Sequence, residues 1–231
     1  MRRPDPLSSL VLTVPVFLIY HLGILLIDFR NGVDLVTGVT FQLLESSVLA
    51  YIGVTVGLAA LLFVGVWVQH RRGRVRAPAL GNVLLESALW AVVMLVSVGW
   101  ATAQLQAALS HHSFALSLAP AFGPLDKLVM AAGAGFHEEV IFRVLLLSGM
   151  RSVLMRTGFA ELGALVVALL ASSVLFALAH HLGPVADPIE LTTLTFRTIA
   201  GVYLGAVYLL RGFAVVVYTH TLYDVLVFFL F

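Results

Sequence analysis

Seven long stretches of mostly apolar residues constrain this chain more than any other feature. A transmembrane helix needs roughly 20 apolar residues, because each helical residue rises about 1.5 Å and the hydrocarbon core is about 30 Å thick. The stretches that approach this requirement are residues 7–27, 46–68, 83–107, 125–149, 161–182, 191–210 and 212–231. The sequence therefore predicts an all-α fold, a multi-pass transmembrane helical bundle of about seven spans.

Composition excludes a soluble globular fold. The chain is 61% hydrophobic and only 11% charged, whereas soluble domains are about 45–50% apolar and about 25% charged. A chain of 231 residues cannot hide this excess in a core, so the excess must face lipid. No linker or repeat divides the chain, and we expect a single integral membrane domain over residues 1–231.

The positions of the arginines predict the orientation in the membrane. Arginines lie before the first span and after the second, fourth and sixth: Arg2, Arg3, Arg71, Arg72, Arg74, Arg76, Arg151, Arg156 and Arg211. Positively charged loops stay on the cytoplasmic side, so this alternation predicts a cytoplasmic N-terminus and an outward C-terminus. The net charge of +1 gives no indication of nucleic-acid binding, and the lipid bilayer is the expected partner.

The fourth span carries charges where lipid is expected. A charged group inside a span costs at least about 2.5–3.5 kcal/mol, so such groups are kept when they pair, line a cavity or do chemistry. Glu139 and Arg143 are four residues apart on a helix and are expected to pair. Glu138 points about 100° away from Glu139 on an α-helix, so this pair does not neutralise it. The sequence thus predicts one structural carboxylate and one that is available to act as a base.

Ionisable residues also lie in the last three spans. His180 and His181 end the fifth span, and His220 and Asp224 share one face of the seventh span at i,i+4 spacing. Together with the fourth span, they predict a functional cavity inside the membrane. Arg197, in the sixth span, either extends to the outer surface or lines the same cavity, and the sequence does not decide between these positions.

Three known classes of intramembrane protease do not match. His137-Glu138 begins like the zinc motif H-E-x-x-H, but Ile141 occupies the position of the second histidine. No serine lies in the G-x-S-G setting of rhomboid proteases. Asp224 has no second intramembrane aspartate of the presenilin type. The absence of cysteine excludes thiolate metal sites and a cysteine nucleophile.

A fourth class does match. Three motifs occur in order on separate spans, Glu138-Glu139-x-x-x-Arg143, Phe176-x-x-x-His180 and His220-x-x-x-Asp224. This pattern resembles the CAAX protease and bacteriocin-processing (CPBP) family of intramembrane endopeptidases, of the prenyl-protein endopeptidase type. The resemblance covers residues 125–231, which we therefore interpret as the catalytic core. It also selects His180 over His181 as the site histidine.

The resemblance implies a role for each motif residue. Glu138 and His180 would activate a water molecule for attack on a peptide carbonyl, and His220 and the residue at position 224 would stabilise the oxyanion. Glu139 and Arg143 would hold the fourth helix in place.

Position 224 is Asp in this chain, although the family accepts Asn or Asp. An ionised Asp cannot donate a hydrogen bond to an oxyanion. We therefore expect Asp224 to orient His220, the alternative being a protonated Asp224 that donates.

Two mechanisms remain open for the cofactor. A metal-free glutamate mechanism is favoured, so no cofactor is expected. If the enzyme depends on a metal ion, zinc held by Glu138, His180, His220 and Asp224 is the alternative.

The resemblance implies a membrane-anchored or transmembrane protein or peptide as substrate, and a bacterial inner-membrane enzyme of protein maturation, sorting or bacteriocin-related processing. The alternative from another class is a non-catalytic membrane protein or a proton-coupled transporter that uses the same buried Glu and His residues.

Overall fold

The computed structural model describes residues 6–27, 47–71, 80–108, 123–182 and 189–230. These residues form seven helices and contain no strand. The helices are α1 (Pro6–Gly23), α2 (Val48–Arg71), α3 (Leu80–Ala108), α4 (124–156), α5 (Glu161–Ala179), α6 (Leu191–Arg211) and α7 (Phe213–Leu230). Each helix overlaps one of the seven apolar stretches, so the predicted all-α fold is confirmed.

Four of these helices are each long and apolar enough to cross a membrane, namely α3, α5, α6 and α7. The helices α1 and α2 contribute shorter apolar segments, Ser8–Gly23 and Val48–Gly57. The chain is an integral membrane protein. Most of the loop arginines that predict its orientation lie outside the described residues, so the cytoplasmic N-terminus remains a prediction.

The helix α3 shows how the bundle meets lipid. Met94 and Val98 are buried against the other helices, whereas Leu85, Leu89 and Val96 are exposed. Exposed leucine and valine side chains of this kind are stable only in an apolar surrounding. The exposed face of α3 is therefore a lipid-facing surface.

The helix α4 departs from the regular α-helix that the sequence predicts. It begins at Pro124, where proline suits the first turn, and becomes π-helical over Ala134–Glu138 and Val140–Ser148. It returns to α-helical geometry at Gly149. In a π-helix the backbone hydrogen bonds span five residues instead of four, and such segments are frequent at functional sites. The two glutamates therefore lie in a widened part of the helix, and a regular 100° step does not describe their directions.

The helices α4 and α7 run antiparallel and in close contact. Near the start of α4, Lys127 Nζ donates a hydrogen bond to the carbonyl oxygen of Phe228 at 2.5 Å. Further along, a Cβ atom on Gly135 would lie only 2.0 Å from Thr221 Oγ1 and 2.9 Å from the carbonyl oxygen of Val217. Only glycine allows the two backbones to approach this closely, as expected for small residues between membrane helices. This contact brings the glutamates of α4 beside the polar residues of α7.

Polar contacts between spans hold the remaining helices. Arg211, at the end of α6, forms an ion pair with Glu86 of α3. Tyr203 donates a hydrogen bond to the carbonyl oxygen of Trp90 at 2.7 Å, and Tyr218 donates one to that of Leu12 at 2.8 Å. Hydrogen bonds between membrane helices contribute on the order of 0.6 kcal/mol each, so these contacts fix the register of the helices more than they add stability.

Candidate active site

The fold brings the three sequence motifs to one place. Glu138 Oε2 lies 3.7 Å from His180 Nε2 and 4.0 Å from His220 Nε2. His220 Nε2 lies 3.6 Å from Asp224 Oδ2. The four residues that the sequence predicts as catalytic thus come together from α4, α7 and the residue that follows α5.

The Glu138 carboxylate is buried and partly unsatisfied. Glu138 is 2% exposed, and the side chains of both histidines are almost as deeply buried. The Oε2 atom of Glu138 has no hydrogen-bond partner within the described residues. Because buried polar atoms are nearly always hydrogen-bonded in native structures, an unpaired oxygen facing two imidazoles indicates a group kept for chemistry. This oxygen is available to accept a proton.

The F-x-x-x-H motif orients the His180 ring. His180 follows the last residue of α5, where backbone carbonyl groups have no partner within the helix. The Nδ1–H group of His180 donates to the carbonyl oxygen of Phe176 at 2.8 Å. A neutral imidazole with its proton on Nδ1 has a lone pair on Nε2, and this atom faces Glu138. The spacing of four residues therefore determines which nitrogen enters the site.

Glu139 links two parts of the site. Its Oε2 atom accepts a hydrogen bond from Arg143 Nε at 2.9 Å, with both side chains fully buried. This is the ion pair predicted from the i,i+4 spacing. Its Oε1 atom accepts a hydrogen bond from His220 Nδ1 at 2.9 Å. Glu139 is therefore the partner that holds the His220 ring, in addition to its expected place in the support of α4.

Asp224 lies beside His220, as the i,i+4 spacing predicts, but it is not the only partner of the ring among the described residues. Asp224 Oδ2 lies 3.6 Å from His220 Nε2, the nitrogen that faces Glu138, and its role in orienting the ring remains a prediction. The second partner is Glu139, which accepts a hydrogen bond from His220 Nδ1 across the α4–α7 contact. An i,i+4 neighbour on the same helix is easy to see in a sequence, whereas a partner 81 residues away depends on how the helices pack. No spacing in the sequence indicates this second partner.

Phe176 forms an aromatic wall of the site. Its ring centroid lies 4.7 Å from that of His180 and 6.0 Å from that of His220. The guanidinium carbon of Arg143 lies 5.0 Å from the same ring, a cation–π contact worth about 2 kcal/mol when desolvated. Phe176 thus packs against members of all three motifs.

The charge of Arg197 in α6 acts on the site. It interacts electrostatically with Glu138, His180 and Asp224. The side chain is partly buried, and its guanidinium carbon lies 5.9 Å from the centroid of the Phe196 ring.

His137 has a different environment from its neighbour Glu138. Its ring packs against Tyr20 at 4.8 Å and His21 at 5.2 Å between centroids, and His21 in turn contacts the Tyr51 hydroxyl at 2.6 Å. His137 therefore contributes to the contact between α4 and α1. It is a neighbour of Glu138 in the sequence, but it packs against a different helix.

The distances within the site are longer than those between the ligands of a tetrahedral zinc ion. Ligands around a tetrahedral zinc ion, at about 2.0–2.1 Å from the metal, lie about 3.4 Å from each other. The atoms that face one another in this site are separated by 3.6 to 4.0 Å. Within the described part of the chain, no group of three or more His, Asp and Glu side chains is arranged to hold a metal ion. The expectation of a metal-free enzyme remains a prediction.

Comparison with known families decides the relationship of this region. Residues 120–226 match the family model described as Rce1-like, type II CAAX prenyl endopeptidase. This region is an Rce1-like domain. The resemblance inferred from the three motifs is thereby confirmed, and the Rce1-like domain contains every predicted site residue. No curated protein and no solved structure matches the chain.

Proposed function

We propose that this chain is an intramembrane endopeptidase that hydrolyses a peptide bond in a membrane-associated protein or peptide. The observation that carries the proposal is the meeting of Glu138, His180 and His220 within 4.0 Å inside an Rce1-like domain. A buried carboxylate with two imidazoles at this distance has the groups that peptide hydrolysis requires, a base and a hydrogen-bond donor for the oxyanion.

Glu138 acts as the general base. Its free Oε2 atom accepts a proton from a water molecule, whose oxygen then attacks the carbonyl carbon of the scissile bond. The carbon–oxygen bond forms and the carbon–nitrogen bond breaks, and Glu138 passes the proton to the leaving amine. His180 holds the attacking water through its Nε2 lone pair. These reaction steps consume one water molecule and require no other co-reactant.

His220 contributes a hydrogen bond to the oxyanion. Its Nδ1–H group donates to Glu139. When the ring is protonated on both nitrogens, its Nε2–H group is directed to the reacting carbonyl. A buried donor that is already in place stabilises charge as it develops and needs no reorganisation. Glu139 is a positioning residue in this scheme, because it acts through His220.

The surroundings of the site support a substrate that is already in the membrane. The three central side chains are buried among apolar helices, so the peptide bond must reach them from within the bilayer or from its surface. A lipid-anchored peptide or the end of a transmembrane segment meets this requirement. We propose that the enzyme works in a bacterial inner membrane with its N-terminus in the cytoplasm, in protein maturation, sorting or bacteriocin-related processing.

The experiment that tests this function compares wild-type protein with Glu138→Ala in proteoliposomes containing prenylated and transmembrane reporter peptides. Loss of a general base lowers rates by about 10²–10⁴-fold, so we expect Glu138→Ala to lower kcat/KM within this range while the protein remains folded. The matched control is Glu161→Ala, which removes the exposed partner of Arg151 and should leave cleavage unchanged.

Two results would contradict the proposal. One is cleavage by Glu138→Ala at the wild-type rate. The other is the absence of cleavage by wild-type protein together with proton-coupled uptake that depends on Glu138, which would support the transporter alternative.

A further inference from the structure

The packing of α5 against α6 shows which residue of α5 lies at the same level of the bundle as Arg197. A Cβ atom on Gly205 would lie 2.4 Å from Leu169 Cδ1, and one on Gly201 would lie 3.0 Å from Ser173 Cα. Moving four residues back along α6 therefore corresponds to moving four residues forward along α5, so the two helices are antiparallel. Arg197 is the next residue of α6 in this series.

Arg197 consequently lies level with Ala177 of α5. This level falls between Phe176, which packs against the site histidines, and His180 itself. The charge of Arg197 also interacts with Glu138 and Asp224. Helix register places Arg197 at the level of the site residues, and its charge acts on them.

The site contains more carboxyl groups than guanidinium groups that pair with them in the described residues. Glu139 is compensated by Arg143, whereas Glu138 and Asp224 both face His220 Nε2. The tetrahedral intermediate adds a further negative charge. An ionised Asp224 cannot donate a hydrogen bond to it, and His220 offers only Nε2 because Glu139 holds its Nδ1.

We propose that Arg197 is a catalytic residue that donates a hydrogen bond to the oxyanion of the tetrahedral intermediate. This inference rests on the proposed peptidase function and assigns to Arg197 the donor role that an Asn at position 224 would otherwise fill. Arginine remains protonated throughout the reaction, so no additional proton transfer is involved. The contact is strongest while the carbonyl oxygen carries the full charge and weakens when the carbon–nitrogen bond breaks.

The first test separates kcat from KM in Arg197→Gln and Arg197→Lys, with thermal unfolding of each purified variant as the check of folding. Removal of one oxyanion donor lowers kcat by about 10²–10³-fold, and we expect this loss in Arg197→Gln with KM little changed. Arg197→Lys keeps the charge without the planar fork and should lose less. A wild-type kcat in Arg197→Gln would overturn the inference.

The second test asks whether position 224 can take over the role. In the Arg197→Gln background, Asp224→Asn supplies an amide donor, whereas Asp224→Leu removes the same carboxylate without supplying one. We expect only the Asn variant to recover part of the lost kcat. Equal recovery by both variants would show that Arg197 merely balances Asp224 and would overturn the inference.

A third comparison excludes recognition of the substrate terminus. Peptides with a free C-terminal carboxylate and with a C-terminal amide should lose the same factor in kcat in Arg197→Gln. A raised KM confined to the free acid would mean that Arg197 binds that carboxylate, which would overturn the inference. Failure of wild-type protein to hydrolyse any peptide would instead overturn the proposed function and this inference together.

Discussion

Glu138 and Glu139 are adjacent in the sequence but have different partners. Glu139 is held by Arg143 and His220 at 2.9 Å each, whereas Glu138 Oε2 has no hydrogen-bond partner within the described residues. In the proposed mechanism, Glu139 therefore builds the site and Glu138 performs the chemistry. This division predicts different consequences for the two substitutions.

Replacement of Glu139 by Gln should lower both activity and stability. The amide cannot accept strong hydrogen bonds from both neighbours, and it leaves the Arg143 charge buried and unpaired, a change that costs about 3–5 kcal/mol. The measurement is thermal unfolding in detergent together with kcat/KM for the same preparation. A Glu139→Gln protein with wild-type stability would contradict the assigned contacts.

Glu138→Gln is the matched comparison at the neighbouring position. It removes a carboxylate whose Oε2 atom has no hydrogen-bond partner within the described residues, so its unfolding temperature should stay close to that of wild type while its activity falls. An equal loss of stability in the two variants would mean that the two glutamates have equivalent roles.

The residues of the site can be predicted from the sequence because they are ionisable residues within apolar spans. Charged groups are expensive inside an apolar span, so Glu138, His220 and Asp224 stand out from their surroundings. The hydrogen bond between Glu139 and His220 could not be predicted, because it depends on the distance between two helices and on the rotation of each helix about its axis. Sequence patterns contain the spacing within a helix but not these quantities.

Among the single helices, α4 differs most from the regular α-helix that the sequence predicts. Its apolar run predicted the span, but nothing in it indicated the π-helical segments Ala134–Glu138 and Val140–Ser148. A helix surrounded by lipid and other helices is apolar on most sides, so the periodicity that reveals an amphipathic helix is weak. The length of a membrane helix can therefore be read from sequence more readily than its local geometry.

Gly135 provides the test of the α4–α7 contact. A methyl group at this position would overlap Thr221 Oγ1 and push the glutamates of α4 away from His220. We expect Gly135→Ala to lower the unfolding temperature and to reduce kcat/KM, both measured on purified protein. The control is Gly149→Ala in the same helix, where a Cβ atom meets nothing within 4 Å and where alanine favours the helix by about 0.5–1 kcal/mol.

Equal effects of the two alanines would contradict the close contact, because overpacking in a dense interior typically costs about 1–3 kcal/mol. The expected signs are opposite for stability, with Gly135→Ala below wild type and Gly149→Ala at or above it.

The molecule as a whole places a small polar site inside a large apolar body. The predicted spans and the described helices coincide because the lengths of apolar runs are set by the thickness of the bilayer. The Rce1-like region, residues 120–226, contributes the site residues, and α1 and α3 pack around its last helix through Leu12 and Ser87. The helices α1 and α3 thus support the helix that carries His220 and Asp224, although they carry none of the motifs themselves.

In the proposed mechanism, water activated by Glu138 attacks the peptide bond directly, without a metal ion and without a covalent enzyme intermediate. The decisive measurement is hydrolysis by chelator-treated wild-type protein in proteoliposomes with hydroxylamine present, followed by mass analysis of the new C-terminus. We expect undiminished turnover and a carboxylate product alone. Loss of turnover that zinc restores, or a hydroxamate product formed by trapping of an acyl-enzyme, would contradict it.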